Sequence, residues 1–286
     1  MNYRHVFHAG NFADVFKHAI LARILLHLNE KPQPYRVIDT HAGAGRYDLS
    51  GTLANKTGEW RDGIGRLTAE DGAVADANND DMLKPLLDAV AACNPSGTLR
   101  IYPGSPAVAL SVMRPQDRLT ACELEPHAAA ALARNLGGDR RAKVIETDGF
   151  AALKAYLPPV ERRGLVLVDP PFEDRDEFSR LAAATAAAVR KWPTGIYAVW
   201  YPVKDATAAA FVKGFHGFEV PKLPPPQILR AELHVASPQS DGLAACGLVL
   251  INPPWRLQAE LEQLLPDLVR RLRQDKGARY LLEAIT

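Results

Sequence analysis

Two kinds of hydrophobic pattern alternate along the chain. Short runs of branched apolar residues predict strands, and longer segments with apolar residues three or four positions apart predict helices. The predicted strands cover residues 35–40, 118–124, 142–149, 164–171, 195–202, 228–236 and 246–255. The predicted helices cover residues 126–136, 150–157, 177–192, 205–215 and 257–274, the last with a candidate break near Pro266. This alternation predicts an α/β fold with a mostly parallel, doubly wound sheet.

A further helix is predicted close to the N-terminus. Asn11 stands where an N-cap belongs, and Asp14 follows three residues later, like the acid of a capping box. Apolar residues then recur at helical spacing from Val15 to Leu28. We therefore expect a helix that begins just after Asn11 and precedes the first strand.

Composition and charge narrow the class of protein. The 286 residues carry a formal net charge of +1, so nucleic acid would bind through a local patch and not through the overall field. Cys93, Cys122 and Cys246 form no C-x-x-C pair, which argues against a disulfide framework or a zinc site. The polar N-terminus does not resemble a signal peptide, and no run of 18 apolar residues occurs. We expect a cytoplasmic protein with no membrane partner and no metal.

A glycine-rich loop follows the first predicted strand. Asp39, Gly43 and Gly45 lie where a tight strand-to-helix turn lets backbone N–H groups approach a ligand. In a dinucleotide-binding unit an acidic residue about twenty positions later holds the ribose, but here the best acid, Glu123, is much farther along. We interpret the additional residues between the glycine loop and Glu123 as an insertion. The predicted domains are a core of residues 1–49 and 99–286 and an inserted helical subdomain of residues 50–98.

Two further segments point to the same edge of the sheet. Ser105 is the predicted N-cap of a helix with Pro106 at its first position. The pair Asp148–Gly149 ends the third strand of the series. Because ligands of doubly wound sheets bind outside the carboxyl ends of the strands, these residues are candidate contacts in one crevice.

The strand VLVDPPF carries the strongest chemical signal. Asp169 ends a buried run, and two prolines and Phe172 follow it. A carboxylate and the Pro170 carbonyl can together accept both hydrogens of an amino group, and Phe172 offers a ring for stacking. This set suits a planar base with an exocyclic amine. The alternative is an ordinary strand end with a buried Phe.

A near copy, INPPW, ends the last predicted strand at residues 251–255. It is similar to the Asn-Pro-Pro-aromatic motif of methyltransferases that modify glutamine side chains. Its position lies far beyond the acidic strand ends, whereas Asp169 follows them in order. We therefore interpret INPPW as a structural segment and Asp169 as a residue of the catalytic site.

Together these segments resemble the bacterial 23S rRNA adenine-N6 methyltransferase family of RlmJ type. The resemblance covers almost the whole chain and rests on YRHVFHAGNFADVFKH, DTHAGAGRY, YPGSP, DGF, VDPPF, GIYAVWYPV and INPPW. It implies a class I S-adenosylmethionine-dependent methyltransferase fold, Rossmann-like, with an inserted helical subdomain. It also implies methyl transfer to N6 of a specific adenine in 23S rRNA.

The resemblance assigns roles to individual residues. Asp169, Pro170 and Phe172 match the catalytic motif, although the family more often has Tyr at the position of Phe172. Tyr3, Lys17 and Phe172 are expected to meet the substrate. The expected contacts to S-adenosylmethionine are His18, His41, Gly43, Ser105, Glu123, Asp148, Gly149 and Asp169.

Several alternatives remain open at this point. The same motif serves N2 of guanine, and an RNA-binding protein with a vestigial cofactor pocket would share the pattern. His5, His8, His18 and His41 could be a metal cluster, but no regular spacing supports it. The basic segments DRRAK, VERRG and RRLRQDK are solvated helix ends or, in one case, a phosphate contact. The expected substrate is naked or early-assembly rRNA, and the expected state is a monomer.

Overall fold

The computed structural model describes residues 5–69, 72–73, 82–174, 176–238 and 242–286. The strands are β1 (Arg36–Asp39), β2 (Arg46–Asp48), β3 (Ile101–Pro103), β4 (Arg118–Glu123), β5 (Ala142–Glu146), β6 (Gly164–Val168), β7 (Ile196–Pro202), β8 (Ile228–His234), β9 (Ala245–Ile251) and β10 (Arg279–Ile285). The helices are α1 (Phe12–Asn29), α2 (Thr52–Thr57), α3 (Lys84–Cys93), α4 (Ser105–Val112), α5 (Pro126–Leu136), α6 (Gly149–Tyr156), α7 (Glu177–Lys191), α8 (Ala206–Lys213) and α9 (Leu257–Leu272). Short 3-10 helices cover His5–Phe7, Glu59–Asp62 and Ile64–Leu67.

An eight-stranded sheet organises the fold, in the order β10-β8-β9-β7-β6-β1-β4-β5. The five strands from β7 to β5 are mutually parallel, and β9 enters antiparallel between β7 and β8. The predicted doubly wound sheet is therefore confirmed, and with it the class I, Rossmann-like methyltransferase fold. In the described part of the chain, no helix combines the length and the apolar content that a membrane crossing needs.

Three strands are not predicted from the sequence, namely the short β2 and β3 and the C-terminal β10. β10 pairs antiparallel with β8 at the edge of the sheet, and most of its side chains are exposed or half-buried. An edge strand with little burial carries no clear alternation of apolar and polar residues, so its sequence gives a weak signal. Pro266, by contrast, lies inside a continuous α9 and does not break it.

Helix α1 begins where the sequence predicts. The Asn11 side chain accepts a hydrogen bond from the Asp14 N–H at 3.0 Å and so caps the helix. The helix is buried on nearly all sides, because it packs against α3, α4 and α9 as well as against the sheet. The predicted apolar stripe is therefore only part of its buried surface, which also includes Asp14, Lys17 and His18.

The segment predicted as an inserted subdomain is helical where it is described. Its helix α3 packs against α1 and α4, and Leu83, Leu86 and Val90 belong to the same apolar core as α1. The antiparallel pair of β2 and β3 lies at the two ends of the segment. Residues 70–71 and 74–81 lie outside the described part of the chain. The division into two domains stays a prediction, since the described helices share one core with the rest.

The start of α4 differs in one detail from the prediction. Gly104 is the N-cap, and Ser105 is the first residue of the helix. The Ser105 hydroxyl donates to Asp39 Oδ2 at 2.6 Å instead of capping. A side chain that satisfies a buried carboxylate is not free to bond its own helix terminus, which explains the displacement of the cap.

The segment INPPW lies at the opposite edge of the sheet from Asp169. Since β9 runs antiparallel to β7, its final residues meet the amino ends of the parallel strands. The Asn252 amide donates to the carbonyls of Pro193 and Gly195, both at 2.8 Å, and its φ is +53°. The contacts of Asn252 are thus those of a turn that holds the loop before β7.

Replacing Asn252 tests this architectural role. Asn252→Ala removes both hydrogen bonds and places alanine at a left-handed φ, so we expect the free energy of unfolding to fall by about 2 kcal/mol or more. Asn252→Gly removes the same amide without the steric cost and should lose less. Urea-induced unfolding measures both variants, and unfolding curves that coincide with that of the wild type would contradict the assignment.

Candidate active site

A cavity of about 1350 Å³ opens at the carboxyl ends of β1, β4, β5 and β6. Pockets for a single small molecule commonly measure about 300–1,000 Å³, so this one has room for a cofactor and a substrate group together. All the described residues predicted for the site line it: Lys17, His18, His41, Gly43, Ser105, Glu123, Asp148, Gly149, Asp169, Pro170 and Phe172. Tyr3 lies outside the described residues.

Asp169 lies at the end of β6, joined to α1 by a buried ion pair. Lys17 Nζ donates to Asp169 Oδ2 and also lies 2.9 Å from Asp14 Oδ1. The Asp169 side chain is 16% exposed, whereas those of Lys17 and Asp14 are 5% and 3% exposed. One cation buried inside the protein therefore holds two carboxylates, and Asp169 is the most exposed of the three groups.

The electrostatics keep Lys17 and Asp14 charged. Burial alone would lower the pKa of Lys17, but the two carboxylates hold that pKa well above its usual range. Burial would likewise raise the pKa of Asp14, but Lys17 and His5 hold it well below its usual range. A buried charge is tolerable when it is paired and hydrogen-bonded in this way. Lys17 is consequently a fixed cation and not a proton carrier.

Asp14 links this ion pair to the N-terminal 3-10 helix. Its Oδ2 accepts from the Gly10 N–H at 2.9 Å and lies 3.0 Å from His5 Nε2. The capping-box interpretation of Asp14 is thus incomplete, because its carboxylate turns to Gly10, His5 and Lys17. Sequence analysis missed Asp14 and His5 as site residues. The available signal was a carboxylate followed by Lys and His on a helix that is otherwise apolar.

The glycine loop is held by the protein itself. The Gly43 N–H donates to Glu123 Oε2 at 2.8 Å, and the Ala44 N–H donates to the Tyr47 hydroxyl at 2.9 Å. Gly43 and Gly45 have φ of +59° and +75°, which favour glycine. The N–H groups expected to approach a ligand are therefore used to fix the loop, and Glu123 is fixed with them.

The two other acidic contacts expected for the cofactor are also anchored. Glu123 Oε1 accepts from the Glu125 N–H at 2.9 Å, so each of its oxygens already has one backbone donor. Asp148 caps α6 by accepting from the Ala151 N–H at 2.8 Å. A carboxylate offers about four acceptor positions, so both groups keep capacity for a ligand while their orientation is set.

His41 is fixed as a hydrogen-bond acceptor towards the cavity. The Thr40 hydroxyl donates to the Leu167 carbonyl at 3.0 Å, so it must accept from His41 Nδ1, 2.8 Å away. Burial lowers the pKa of His41 to about 4, which keeps the ring neutral and leaves Nε2 unprotonated. A Cβ on Gly149 would come within 2.7 Å of that ring nitrogen, so the close approach of the two residues requires glycine.

Two buried polar atoms near the cavity, His18 Nε2 and Asp39 Oδ1, have no hydrogen-bond partner among the described residues. The other nitrogen of His18 pairs with the Tyr102 hydroxyl at 2.8 Å, and burial lowers the pKa of His18 to about 3. Both atoms are buried and Asp39 does not line the cavity, so the acceptors open to a ligand there are the free positions of Glu123 and Asp148. The ammonium and hydroxyl groups of S-adenosylmethionine are donors for such acceptors, and the residues present fit it.

The aromatic residue of VLVDPPF belongs to a cluster beside Asp169. Phe172 packs against Phe178 and Trp200, with ring centroids 4.8 and 5.6 Å away. Its φ is +52°, an unusual conformation for a bulky residue that directs the ring into this cluster. Phe172 thus lines the cavity with a ring held from behind by two other aromatic residues.

The four histidines near the N-terminus do not converge on one point. His5, His8, His18 and His41 pair with Asp14, Glu59, Tyr102 and Thr40, respectively. Within the described ranges, no group of three or more His, Cys, Asp or Glu residues could hold a metal ion. The contacts of these side chains therefore do not favour the metal-cluster alternative.

Comparisons with known proteins show the family to which the chain belongs. The family model described as ribosomal RNA large subunit methyltransferase D, RlmJ, matches residues 32–283. Two curated relatives are both named ribosomal RNA large subunit methyltransferase J. The one from Escherichia coli K12 is 42% identical over 274 residues and covers 95% of this chain and 94% of the relative. The one from Haemophilus influenzae is 40% identical over 292 residues and covers 100% and 99%.

A solved structure is similar over the same length. A protein from Legionella pneumophila is 33% identical, with a TM-score of 0.87, and the match covers 98% of this chain and 99% of that one. The similarity in sequence and in fold therefore extends over the whole architecture and is not confined to the motifs.

We expect the buried Asp39 to make the free energy of unfolding depend on pH. Burial raises its pKa from 3.8 to about 6, although Ser105 opposes the shift. Since the pKa is higher in the folded state than in the unfolded chain, the contribution of Asp39 is greatest below about pH 4 and is lost as the pH rises to about 6. The loss is about 3 kcal/mol.

Asp39→Asn removes this titration and keeps an acceptor for Ser105. We expect the variant to gain about 3 kcal/mol relative to the wild type between pH 4 and pH 7. Chemical denaturation across that range measures the difference, with Glu262→Gln on the exposed face of α9 as the control. Parallel stability curves for Asp39→Asn and the wild type would show that the carboxyl is not buried as described.

Proposed function

The chain belongs to the RlmJ family of ribosomal RNA large subunit methyltransferases and is an S-adenosylmethionine-dependent enzyme, and we propose that it methylates N6 of an adenine in 23S rRNA. One observation supports an amino group as the acceptor of the methyl group. The Asp169 carboxylate faces the cavity while Lys17 occupies only its Oδ2. Oδ1 is thereby left as an acceptor for a hydrogen of the substrate.

The residues around Asp169 suit an exocyclic amine. Oδ1 of Asp169 and the carbonyl of Pro170 would accept its two hydrogens, which favours a pyramidal nitrogen with its lone pair free. The cofactor supplies an electrophilic methyl group on a sulfonium. The nitrogen becomes positively charged only as the methyl group arrives, so Asp169 need not remove a proton beforehand. A fixed negative carboxylate stabilises that developing charge.

Lys17 sets the state of this acceptor. As a permanently charged partner it holds Oδ2 of Asp169 and limits the rotation of that carboxylate. Positioning of this kind can contribute several kcal/mol to the lowering of a barrier. We assign Lys17 to the organisation of the substrate site, through Asp169, and not to proton transfer.

The cofactor would lie between the glycine loop and α6. Glu123 is placed to accept from ribose hydroxyls and Asp148 to accept from the adenine amino group, while His18, His41, Gly43, Ser105 and Gly149 form the surrounding wall. The acceptor positions that Glu123 and Asp148 keep free support a ligand with donor groups at this position. These assignments are proposals from the geometry of the cavity.

The target base would enter beside Phe172. A base must leave its stack to reach Asp169, and the Phe172 ring replaces part of the lost stacking. Phe172 has no hydroxyl, so the site works with an aromatic face alone where the family more often has Tyr. Tyr3 remains a predicted substrate contact outside the described residues.

The substrate form and the setting follow from the same inference. We propose that a monomer acts on naked or early-assembly rRNA, since flipping a base is easiest before the surrounding RNA is folded into the ribosome. The reaction would take place in the cytoplasm, where rRNA is assembled. Relatives named as methyltransferases do not favour a vestigial cofactor pocket.

Substitution of Asp169 tests the proposed chemistry. We expect Asp169→Ala to reduce methyl transfer to protein-free large-subunit rRNA by at least about a hundredfold, because the acceptor for the amine is lost. Binding of S-adenosylmethionine should largely persist. Transfer is measured with labelled S-adenosylmethionine and nucleoside analysis, and Asp176→Ala, an exposed carboxylate, is the control.

The nature of the product decides between the two amines. N6-methyladenosine that disappears in Asp169→Ala supports the proposal, whereas N2-methylguanosine would replace it with the alternative. Turnover of Asp169→Ala at the wild-type rate would sink the catalytic assignment.

A further inference from the structure

Four exposed cations lie on one side of the cavity, of which Arg46 and Lys204 line the groove or the cavity and Lys56 and Arg61 lie close by. Arg46 lines a shallow groove of about 400 Å³ that shares Val6, Tyr47 and Leu53 with the main cavity. Lys204 lines the main cavity itself. Lys56 ends α2 with its Nζ 5.7 Å from the centre of the Phe7 ring, and Arg61 lies 4.9 Å from that of Trp60. All four are exposed.

These cations have no carboxylate partner within ion-pair distance in the part of the chain that the structure describes. Arg61 donates instead to the Asn55 amide oxygen at 2.6 Å, and Lys56 faces only the Phe7 ring. The acids nearby, including Asp48 in the lining of the groove itself, are paired with other groups. Glu59 pairs with His8 and Asn11, Asp62 with Arg66, and Asp48 with Ser50 and Arg100. The positive charge on this side is therefore not neutralised locally.

The other side of the mouth has the opposite sign. Asp148, Glu173, Asp174 and Glu177 line it, and Arg180 is the cation among them, 3.7–3.8 Å from three of these carboxylates. A polyanion would be repelled there and attracted to the side of Arg46 and Lys56. The charge pattern therefore favours binding of a polyanion on one side of the cavity mouth only.

Two of the basic segments in the sequence are excluded by topology. DRRAK and VERRG precede β5 and β6, so they lie at the amino edge of the sheet, away from the cavity. Arg141 pairs there with Asp139, and Arg36 pairs with Glu161. RRLRQDK begins in the last turn of α9, and its Arg270 and Arg271 pair with Asp267. Those arginines already satisfy carboxylates of the protein.

Extending the function proposed above, we propose that the groove between the 3-10 helix His5–Phe7 and α2 binds the sugar–phosphate backbone of the RNA strand beside the flipped nucleotide. Arg46, Lys56 and Arg61 contact its phosphates, and Lys204 holds the strand across the mouth. Leu53, 42% exposed and shared by groove and cavity, provides an apolar surface between them.

The composition of the groove fits single-stranded RNA. Such sites combine a basic track along the backbone with apolar and aromatic surfaces for bases. Phe7 and Trp60 hold Lys56 and Arg61 over their rings, and the Thr57 hydroxyl donates to the Phe7 carbonyl, which fixes α2 to the 3-10 helix. The 3-10 helix also carries His5, which is bonded to Asp14. RNA in the groove would therefore lie directly beside the ion pair that holds Asp169.

The test is a triple variant, Arg46→Gln/Lys56→Gln/Arg61→Gln, in the full chain. We expect the KM for protein-free large-subunit rRNA to rise about tenfold or more while kcat and the affinity for S-adenosylmethionine stay unchanged. The dependence of log affinity on log salt should become shallower by about 2, since each lost phosphate contact removes roughly 0.7. The matched control, Arg134→Gln/Arg140→Gln/Lys143→Gln, removes three exposed cations near the far edge.

Direct binding of a fluorescent rRNA fragment separates this proposal from the function on which it rests. Weaker binding and a shallower salt dependence for the first variant alone support the groove, whether or not the adenine is the methylated base. Equal binding by the two variants, or a fall in kcat with KM unchanged, would overturn it. Failure of the wild type to methylate rRNA would instead contradict the proposed function.

Discussion

A buried cation shared by two carboxylates is the constraint on which this site depends. Lys17 is placed on α1, and Asp14 and Asp169 reach it from α1 and from the end of β6. A buried ion pair contributes little net stability compared with a well-packed apolar group. Removing only one partner nevertheless costs about 3–5 kcal/mol, because the other charge is left buried and unpaired. Its value here is geometric, because it fixes the first helix, the sheet and the acceptor oxygen of Asp169 in one arrangement.

The same arrangement separates two kinds of ligand. On one side of Asp169, the glycine loop and the caps of α6 present acceptors that are already oriented by backbone N–H groups. On the other side, β2, α2 and the 3-10 helix Glu59–Asp62 present Arg46, Lys56 and Arg61, which have no carboxylate partner among the described residues. A small donor-rich cofactor suits the first environment and a polyanion suits the second. The ion pair lies where the two environments meet.

Much of this could be predicted from the sequence, for identifiable reasons. The apolar runs of strands buried on both faces and the strong periodicity of several helices predict those elements correctly. The topology of the sheet then places acids at strand ends, such as Glu123 and Asp169, in one crevice. The edge strand β10, the partnership of Ser105 with Asp39 and the second role of Asp14 were not predicted. Each depends on which residues meet in three dimensions across long sequence distances, and local pattern carries no information about that.

The central claim is that Lys17 acts through Asp169 and not on the cofactor. The most direct measurement compares single-turnover methyl transfer and S-adenosylmethionine affinity in Lys17→Met and in Asp14→Asn/Lys17→Met. The second variant removes both buried charges and should recover the stability that the first one loses. We predict transfer at least about a hundredfold slower in both variants, with cofactor affinity within a few-fold of the wild type. Transfer at the wild-type rate in the stable double variant, or loss of cofactor binding as the main defect, would contradict the account.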